Sequence, residues 1–405
     1  MKLGVLIFRK AKDRATRDNS FDKLPYLGFR HVLNELNHGY EYVDIENISK
    51  YDYCLYSITS VYDVESLIIE IGKKGINKGK CKLVVGGAGC VNIVAIYDYI
   101  DIACFGRCEG QINGILAGQE YENVWRKVKD KDLSKLYIIR QAQELLPGEI
   151  SVGCKNKCSF CQYTWTRKHI GNCNYNANWK LEEDDIKSTK ILNSGRYITA
   201  IDGFSEQTRK RVNKSITDKD IYNFCGQIYD VDLKAAANVK VYSICGFPWE
   251  TPETIRADLK SFGKILGEAD RRSGTRRMVM MVMVTPFSPE PMTPMEGDKC
   301  NVNYNWGKEF EGMGRTIYKG IDIECFILPQ INSPATLARR LIINRANLDN
   351  REKIQKILRT RYKTDNGLYT SQISKYLGYD IFNEMTRRPV EYLQSYCNYR
   401  HEKTK

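Results

Sequence analysis

Three cysteines stand within eight residues, Cys154-Lys155-Asn156-Lys157-Cys158-Ser159-Phe160-Cys161, in C-x3-C-x2-C spacing. Thiolates packed this densely in sequence can wrap one side of an iron–sulfur cubane from a single loop. Four ligands would close such a cluster, as in an electron-transfer protein. Three leave one iron open to chelate a substrate or cofactor, much as catalytic metal sites keep a free position. The competing reading is a zinc knuckle or a chance spacing. Zinc wants a fourth Cys or His nearby, and Cys173 and His169 are available, but the usual two-by-two C-x2-4-C pattern is missing.

The spacing, with an aromatic before the last cysteine, resembles the signature of the radical S-adenosylmethionine (SAM) superfamily. Three later segments are similar to those of members that carry an N-terminal cobalamin-binding-type domain. They are Asp202-Gly203-Phe204-Ser205-Glu206 continued through Arg209 to Val212-Asn213-Lys214, then Gly246-Phe247-Pro248-Trp249-Glu250-Thr251, then Pro286-Phe287-Ser288-Pro289-Glu290-Pro291-Met292-Thr293-Pro294. The resemblance covers roughly residues 1–330. It implies that Cys154, Cys158 and Cys161 ligate a [4Fe–4S] cluster and that the open iron holds the amino and carboxylate groups of SAM. Reduction by an external flavodoxin- or ferredoxin-type donor would then yield a 5′-deoxyadenosyl radical that abstracts hydrogen. Phe160 matches the position that packs near the adenine.

Asp202, Ser205 and Glu206 follow a predicted strand, where a carboxylate or hydroxyl can accept from the ammonium or ribose hydroxyls of SAM. The bland alternative makes Ser205 the N-cap and Glu206 the first turn of a helix. Ser243, near the end of the next strand, is a further cofactor-binding candidate. Gly86-Gly87 and Gly106-Arg107-Cys108-Glu109 resemble turns of cobalamin-binding-type domains. The cobalt-ligating histidine motif expected after the first strand is absent, however: residues 8–19 hold no histidine, and the chain has only His31, His38, His169 and His401. Cobalamin held without a protein ligand stays open. A degenerate domain that docks substrate or braces the barrel is favoured, with basic residues 9–17 suited to a phosphate-bearing partner. Among the N-terminal cysteines only Cys90 sits well for a second cluster, while Cys54 and Cys104 fall inside predicted strands.

The elements that must position these residues are α/β throughout. Strand and helix signals alternate over residues 1–117, with glycines after the strands, which predicts a Rossmann-like parallel sheet whose ligands sit beyond the strand C-termini. Residues 118–148 read as a polar connector. Alternation resumes over 149–332 and predicts a partial TIM-type (βα) barrel with the cysteines after its first strand and the segment from Asp202 to Glu206 after its second. Residues 278–284 read as a buried core strand and 306–319 as a helix. Thr251 and Pro252 are set up as N-cap and first residue of a helix. Residues 333–405 form a small helical region.

Composition narrows the classes further. The 405 residues, 42% hydrophobic and 27% charged, suit two or three globular domains. No apolar run reaches membrane-spanning length, and the N-terminal stretch lacks the cleavage site of a signal peptide, so a cytoplasmic protein is expected. Fourteen cysteines then point to thiols rather than disulfides. The net charge of +13 is uneven: residues 333–405 hold 15 Lys/Arg against 7 Asp/Glu. Such a basic region suits nucleic-acid contact or simply a solubilising surface. Two functions follow. One is a radical SAM enzyme acting on a small molecule or a nucleic acid base or nucleotide, with methyl transfer as a variant. The other is a nucleic-acid-binding iron–sulfur protein whose cluster is structural or redox-sensing.

Overall fold

The computed structural model describes residues 1–7, 27–127, 139–149, 151–154, 156–171, 196–230, 237–269, 278–301, 310, 315–318, 321–327, 334–359, 366–380 and 382. Short apolar runs build an N-terminal six-stranded sheet from β1 (Leu3–Leu6), β2 (Tyr40–Val43), β3 (Tyr53–Ser57), β4 (Lys82–Gly86), β5 (Ile102–Cys104) and β6 (Val124–Arg126), in the order β2-β1-β3-β4-β5-β6. The first five run parallel, and β6 closes the edge antiparallel to β5. Alternate residues face opposite layers, as the two-residue period of a strand demands. Leu55, Val84 and Ile102 pack on α1 (Leu27–Asn34) and α3 (Ile112–Leu116), while Tyr56, Leu83 and Val85 face α2 (Val61–Lys74). Ser60 and Asp63 form a capping box at the start of α2.

The glycine turn after β4 is forced by close approach. Gly87 adopts φ +111°, and a Cβ there would lie 2.6 Å from the carbonyl oxygen of Ile58. Only glycine lets the two strand ends meet this tightly.

The second sheet joins β9 (Arg196–Ala200), β10 (Ala237–Cys245), β11 (Met278–Pro286), β12 (Arg315–Tyr318) and β13 (Ile321–Ile327) in the order β12-β13-β11-β10-β9. All are parallel except β12. Its buried side carries Val239, Val241, Met280, Val282 and Val284 against α6 (Asp218–Asp230) and α7 (Pro252–Ala269), so the strand expected over 278–284 is core on that face, while Met281 is exposed on the other. Thr251 caps α7 by accepting from the N–H of Thr254 at 3.3 Å.

Three expectations change. The described strands of this half form one open sheet, and the cysteines do not follow one of its strands. They follow β7 (Ser151–Val152), which pairs antiparallel with β8 (Ile170–Gly171), leaving β9 as the edge strand of the second sheet. Within 306–319, residues Arg315–Tyr318 are strand and not helix, because Thr316, Ile317 and Tyr318 are β-branched or aromatic and β13 offers them a ladder. The stretch read as connector supplies β6, whose Val124 and Trp125 are buried.

The C-terminal helices α8 (Pro334–Asn344), α9 (Arg351–Arg359) and α10 (Asn366–Leu377) do not form a separate appendix. Leu337, Leu341, Ile354, Ile357 and Ile373 share one core with Val64, Leu67, Ile68 and Ile71 of α2. Buried Asn92 stitches this junction. Its Nδ2 donates to the carbonyls of Asn344 at 2.9 Å and Ile343 at 3.2 Å, and its Oδ1 accepts from Val94 at 3.1 Å. Several basic residues behind the nucleic-acid expectation are engaged here: Arg339 pairs with Glu65, Arg340 with Glu290 and Arg351 with Asp98. Residues 9–17 and 383–405 lie outside the described residues.

Replacing Asn92 with Ala strands the carbonyls it serves. The expected cost is about 1–3 kcal/mol of stability, read from the midpoint of denaturant unfolding.

Candidate active site

The cysteine loop begins at Gly153, whose φ of +72° lets the chain run against residues 168–169; a Cβ there would sit 2.5 Å from the carbonyl oxygen of Lys168. Its N–H donates to the hydroxyl of Tyr163 at 3.0 Å. Cys161 then stands at the N-cap position of the short helix α4 (Gln162–Thr166), where the backbone N–H groups of Thr164 and Tyr163 favour negative charge on its sulfur. Thr164 donates to the carbonyls of Cys154 and Asn156, and the indole N–H of Trp165 donates to the carbonyl of Cys158 at 2.8 Å. The loop is therefore folded back on its own helix, which holds three of its carbonyls.

Each of the three motif segments touches this loop. Ser159 N–H donates to the carbonyl of Val212 at 2.9 Å, and the Asn213 side chain donates to the carbonyl of Lys157 at 2.7 Å. Phe160 packs on Phe247 with ring centroids 6.1 Å apart, in an apolar cluster with Val212, Phe287 and Met295. Gln162 donates to the carbonyl of Pro291 at 3.1 Å. Trp249 stacks on Phe247 at 5.2 Å, and the Arg211 guanidinium lies over the outer indole at 3.9 Å.

Asp202 sits at the bend after β9 with φ +51° and pairs with Lys214, which is almost fully buried. Both lie close enough to Cys158 to act on its charge. Burial pushes the Cys158 thiol up to about 12, with Lys214 opposing and Asp202 reinforcing the rise. Burial raises Cys161 as well, against the N–H groups of Thr164 and Tyr163. Metal coordination reverses that balance, because it deprotonates a thiol outright. Among the described residues no three His, Cys, Asp or Glu side chains converge as they would around one metal ion. A cubane distributes its thiolates over separate irons, so the three cysteines need not meet at a point.

Other predicted site residues are engaged with the protein. Ser205 Oγ caps α5 (Glu206–Arg211) by accepting from Thr208 N–H at 3.3 Å. Glu206 pairs with Lys210 at 2.5 Å and accepts from Asp218 N–H at 2.7 Å. Ser243 Oγ accepts from Gly203 N–H at 3.2 Å. Sequence reasoning gave no role to Arg209, although it is fully buried. Its guanidinium donates to the carbonyls of Gly203, Phe204 and Ile216 and pairs with Asp218. An arginine in the basic run 209–214 reads as helix surface, and no local pattern marks this one as buried.

On the other side of α4, a cavity of about 320 Å³ lies beyond the C-terminal ends of β3, β4 and β5. Leu55, Val84 and Cys104 line it from the sheet, Glu149 and Ser151 from the approach to the cysteines, and Tyr163, Thr166 and Arg167 from α4 and the residue after it. This is the edge where ligands of parallel sheets bind. Its volume is at the low end for small-molecule sites. No histidine is among its lining residues.

No protein-family model matches the sequence, and no curated protein matches it. Among the solved structures that are partly similar are these two. One is the radical S-adenosylmethionine methyltransferase TsrM from Kitasatospora setae with cobalamin and [4Fe-4S] cluster bound: TM-score 0.41, 12% identity, covering 73% of this chain and 77% of that one. The other is the apo, SeMet-labelled cobalamin-dependent S-adenosylmethionine radical enzyme OxsB: TM-score 0.25, 11% identity, covering all of this chain and 61% of that one.

Glu250 gives the site a pH signature. It is 6% exposed and accepts from Phe247 N–H at 3.0 Å, yet burial pushes its carboxyl up to about 7 from an ordinary 4.5. The native state thus holds the proton more tightly than the unfolded chain does, and stability falls as pH rises from about 4.5 to 7. Glu250→Gln should flatten this decline, by at most about 3 kcal/mol, in unfolding curves taken across that window.

Proposed function

We propose that the chain is a radical SAM-type enzyme in which Cys154, Cys158 and Cys161 hold a [4Fe–4S] cluster with one iron free for SAM. The observation that carries this reading is the convergence on one cysteine loop of three segments distant in sequence: Val212 and Asn213, Phe247, and Pro291. A zinc knuckle would need only its own short loop. A cluster that presents one open iron to a second ligand needs walls on several sides.

When bound, the cluster and SAM supply a 5′-deoxyadenosyl radical able to abstract hydrogen from a substrate, with the electron coming from a flavodoxin- or ferredoxin-type donor. The protein's part is to hold and enclose. Phe160, backed by Phe247 and Trp249, offers an aromatic wall for the adenine. Asp202, already paired with Lys214, has further lone pairs for the SAM ammonium or a ribose hydroxyl. Ser205, Glu206 and Ser243 act one step back, fixing the bend that carries Asp202. Methyl transfer remains the variant chemistry. Cobalamin would have to be held without a histidine ligand, since no histidine lines the cavity beyond the first sheet, and no step is assigned to it. The alternative, a nucleic-acid-binding iron–sulfur protein, rests on the basic C-terminal region, where Arg339, Arg340 and Arg351 are paired within the fold.

Anaerobic reconstitution should give about four irons per chain, and dithionite with SAM should release 5′-deoxyadenosine. Cys158→Ala should lose both. Asp202→Ala should keep the iron and lose roughly tenfold or more in SAM cleavage, the worth of a charge-assisted hydrogen bond. A full cluster that never cleaves SAM would hand the case to the structural-cluster reading.

A further inference from the structure

The cavity beyond β3, β4 and β5 is walled mostly by apolar side chains, among them Leu55, Val84, Val91 and Ile112. Its polar residues include Arg107, Arg167, Glu109, Glu149 and Ser151. Their charges are not evenly matched. Arg107 is neutralised twice, by Glu109 at 3.0 Å and by Glu149 at 2.6 Å. Arg167 has no carboxylate partner among the described residues. Its guanidinium lies over the Tyr163 ring at 4.5 Å, and burial lowers its pKa. A cation partly withdrawn from water and unpaired is costly, and an anion brought into the cavity would relieve it.

Two more polar atoms in the wall lack partners. Glu109 Oε2 and Ser151 Oγ are buried and make no hydrogen bond in the structure. A carboxylate oxygen can only accept, so Glu109 calls for a donor on the ligand. Ser151 can serve either end. The two glutamates also limit the ligand's charge. A phosphate dianion would meet one unopposed guanidinium and two carboxylates, whereas a single negative charge matches Arg167 alone.

We propose that this cavity binds an apolar-bodied monocarboxylate carrying an N–H or O–H donor. The carboxylate pairs with Arg167, the donor reaches Glu109 Oε2, and the body fills the apolar wall. The volume of about 320 Å³ suits one small molecule. The site stands on its own lining and is tested in the chain without iron, where no cluster charge at Cys161 can offset Arg167.

The test uses 8-anilinonaphthalene-1-sulfonate, an apolar-bodied monoanion with an N–H donor, and its uncharged counterpart N-phenyl-1-naphthylamine, on the full chain without iron or SAM. Hydrophobicity alone favours the neutral probe, so wild-type protein binding the anion about tenfold or more tightly supports the proposal. Arg167→Gln should erase that preference and leave the neutral probe unaffected. Ala142→Trp, which fills the cavity from a loop, should weaken both. N-acetyl-L-phenylalanine should displace the anionic probe, and inorganic phosphate should not. Equal binding of the two probes by the wild type overturns the proposal without need of any variant, and so does displacement by phosphate. Retained anion preference in a folded Arg167→Gln protein, checked by its thermal melt, does the same.

Discussion

A single buried guanidinium organises the region around the cysteines. Arg209 reaches the carbonyls of Gly203 and Phe204 on one side and that of Ile216 with Asp218 on the other. It thereby fixes the bend after β9 to the start of α6. Because the bend is fixed, Asp202 can hold a left-handed conformation and meet Lys214. Because Lys214 is fixed, Val212 and Asn213 just before it are presented to the backbone of the cysteine loop. Buried ion pairs contribute little net stability once desolvation is counted, so their value here is geometric. They specify one arrangement where several apolar packings would compete.

The cysteine loop stands between two environments. On one side are the aromatic cluster of Phe160, Phe247 and Trp249 and the ion pair of Asp202 with Lys214. On the other, across α4, is the cavity at the edge of the first sheet. Five residues of helix separate the two, so Tyr163, Thr166 and Arg167 connect the cavity to the loop through covalent structure as well as packing. A ligand held there would border the cysteine helix directly.

Charge follows a related logic in the C-terminal helices. A helix that lays an apolar stripe on α2 brings its flanking arginines to the rim of that contact, where Glu65, Glu290 and Asp98 meet them. What looks in sequence like a basic surface patch is in part the rim of an internal interface.

The sequence alone determined what depends on local spacing. It singled out the three cysteines as candidate ligands, and it identified most strands and helices and the cap at Thr251. Each rests on a period or a cap that a short window contains. The alternative roles of Ser205 and Glu206, cap or cofactor contact, were also visible, since helix starts have their own residue code. Tertiary structure alone decided where β7 pairs, that β12 is a strand, that the C-terminal helices share the first sheet's core, and that Arg209 and Lys214 are withdrawn from water and Arg167 partly so. The reason is physical. A side chain's chemistry is written in its type, but its partners are chosen by packing between segments far apart in the chain. A buried arginine and a surface arginine are the same letter until the fold says what surrounds them.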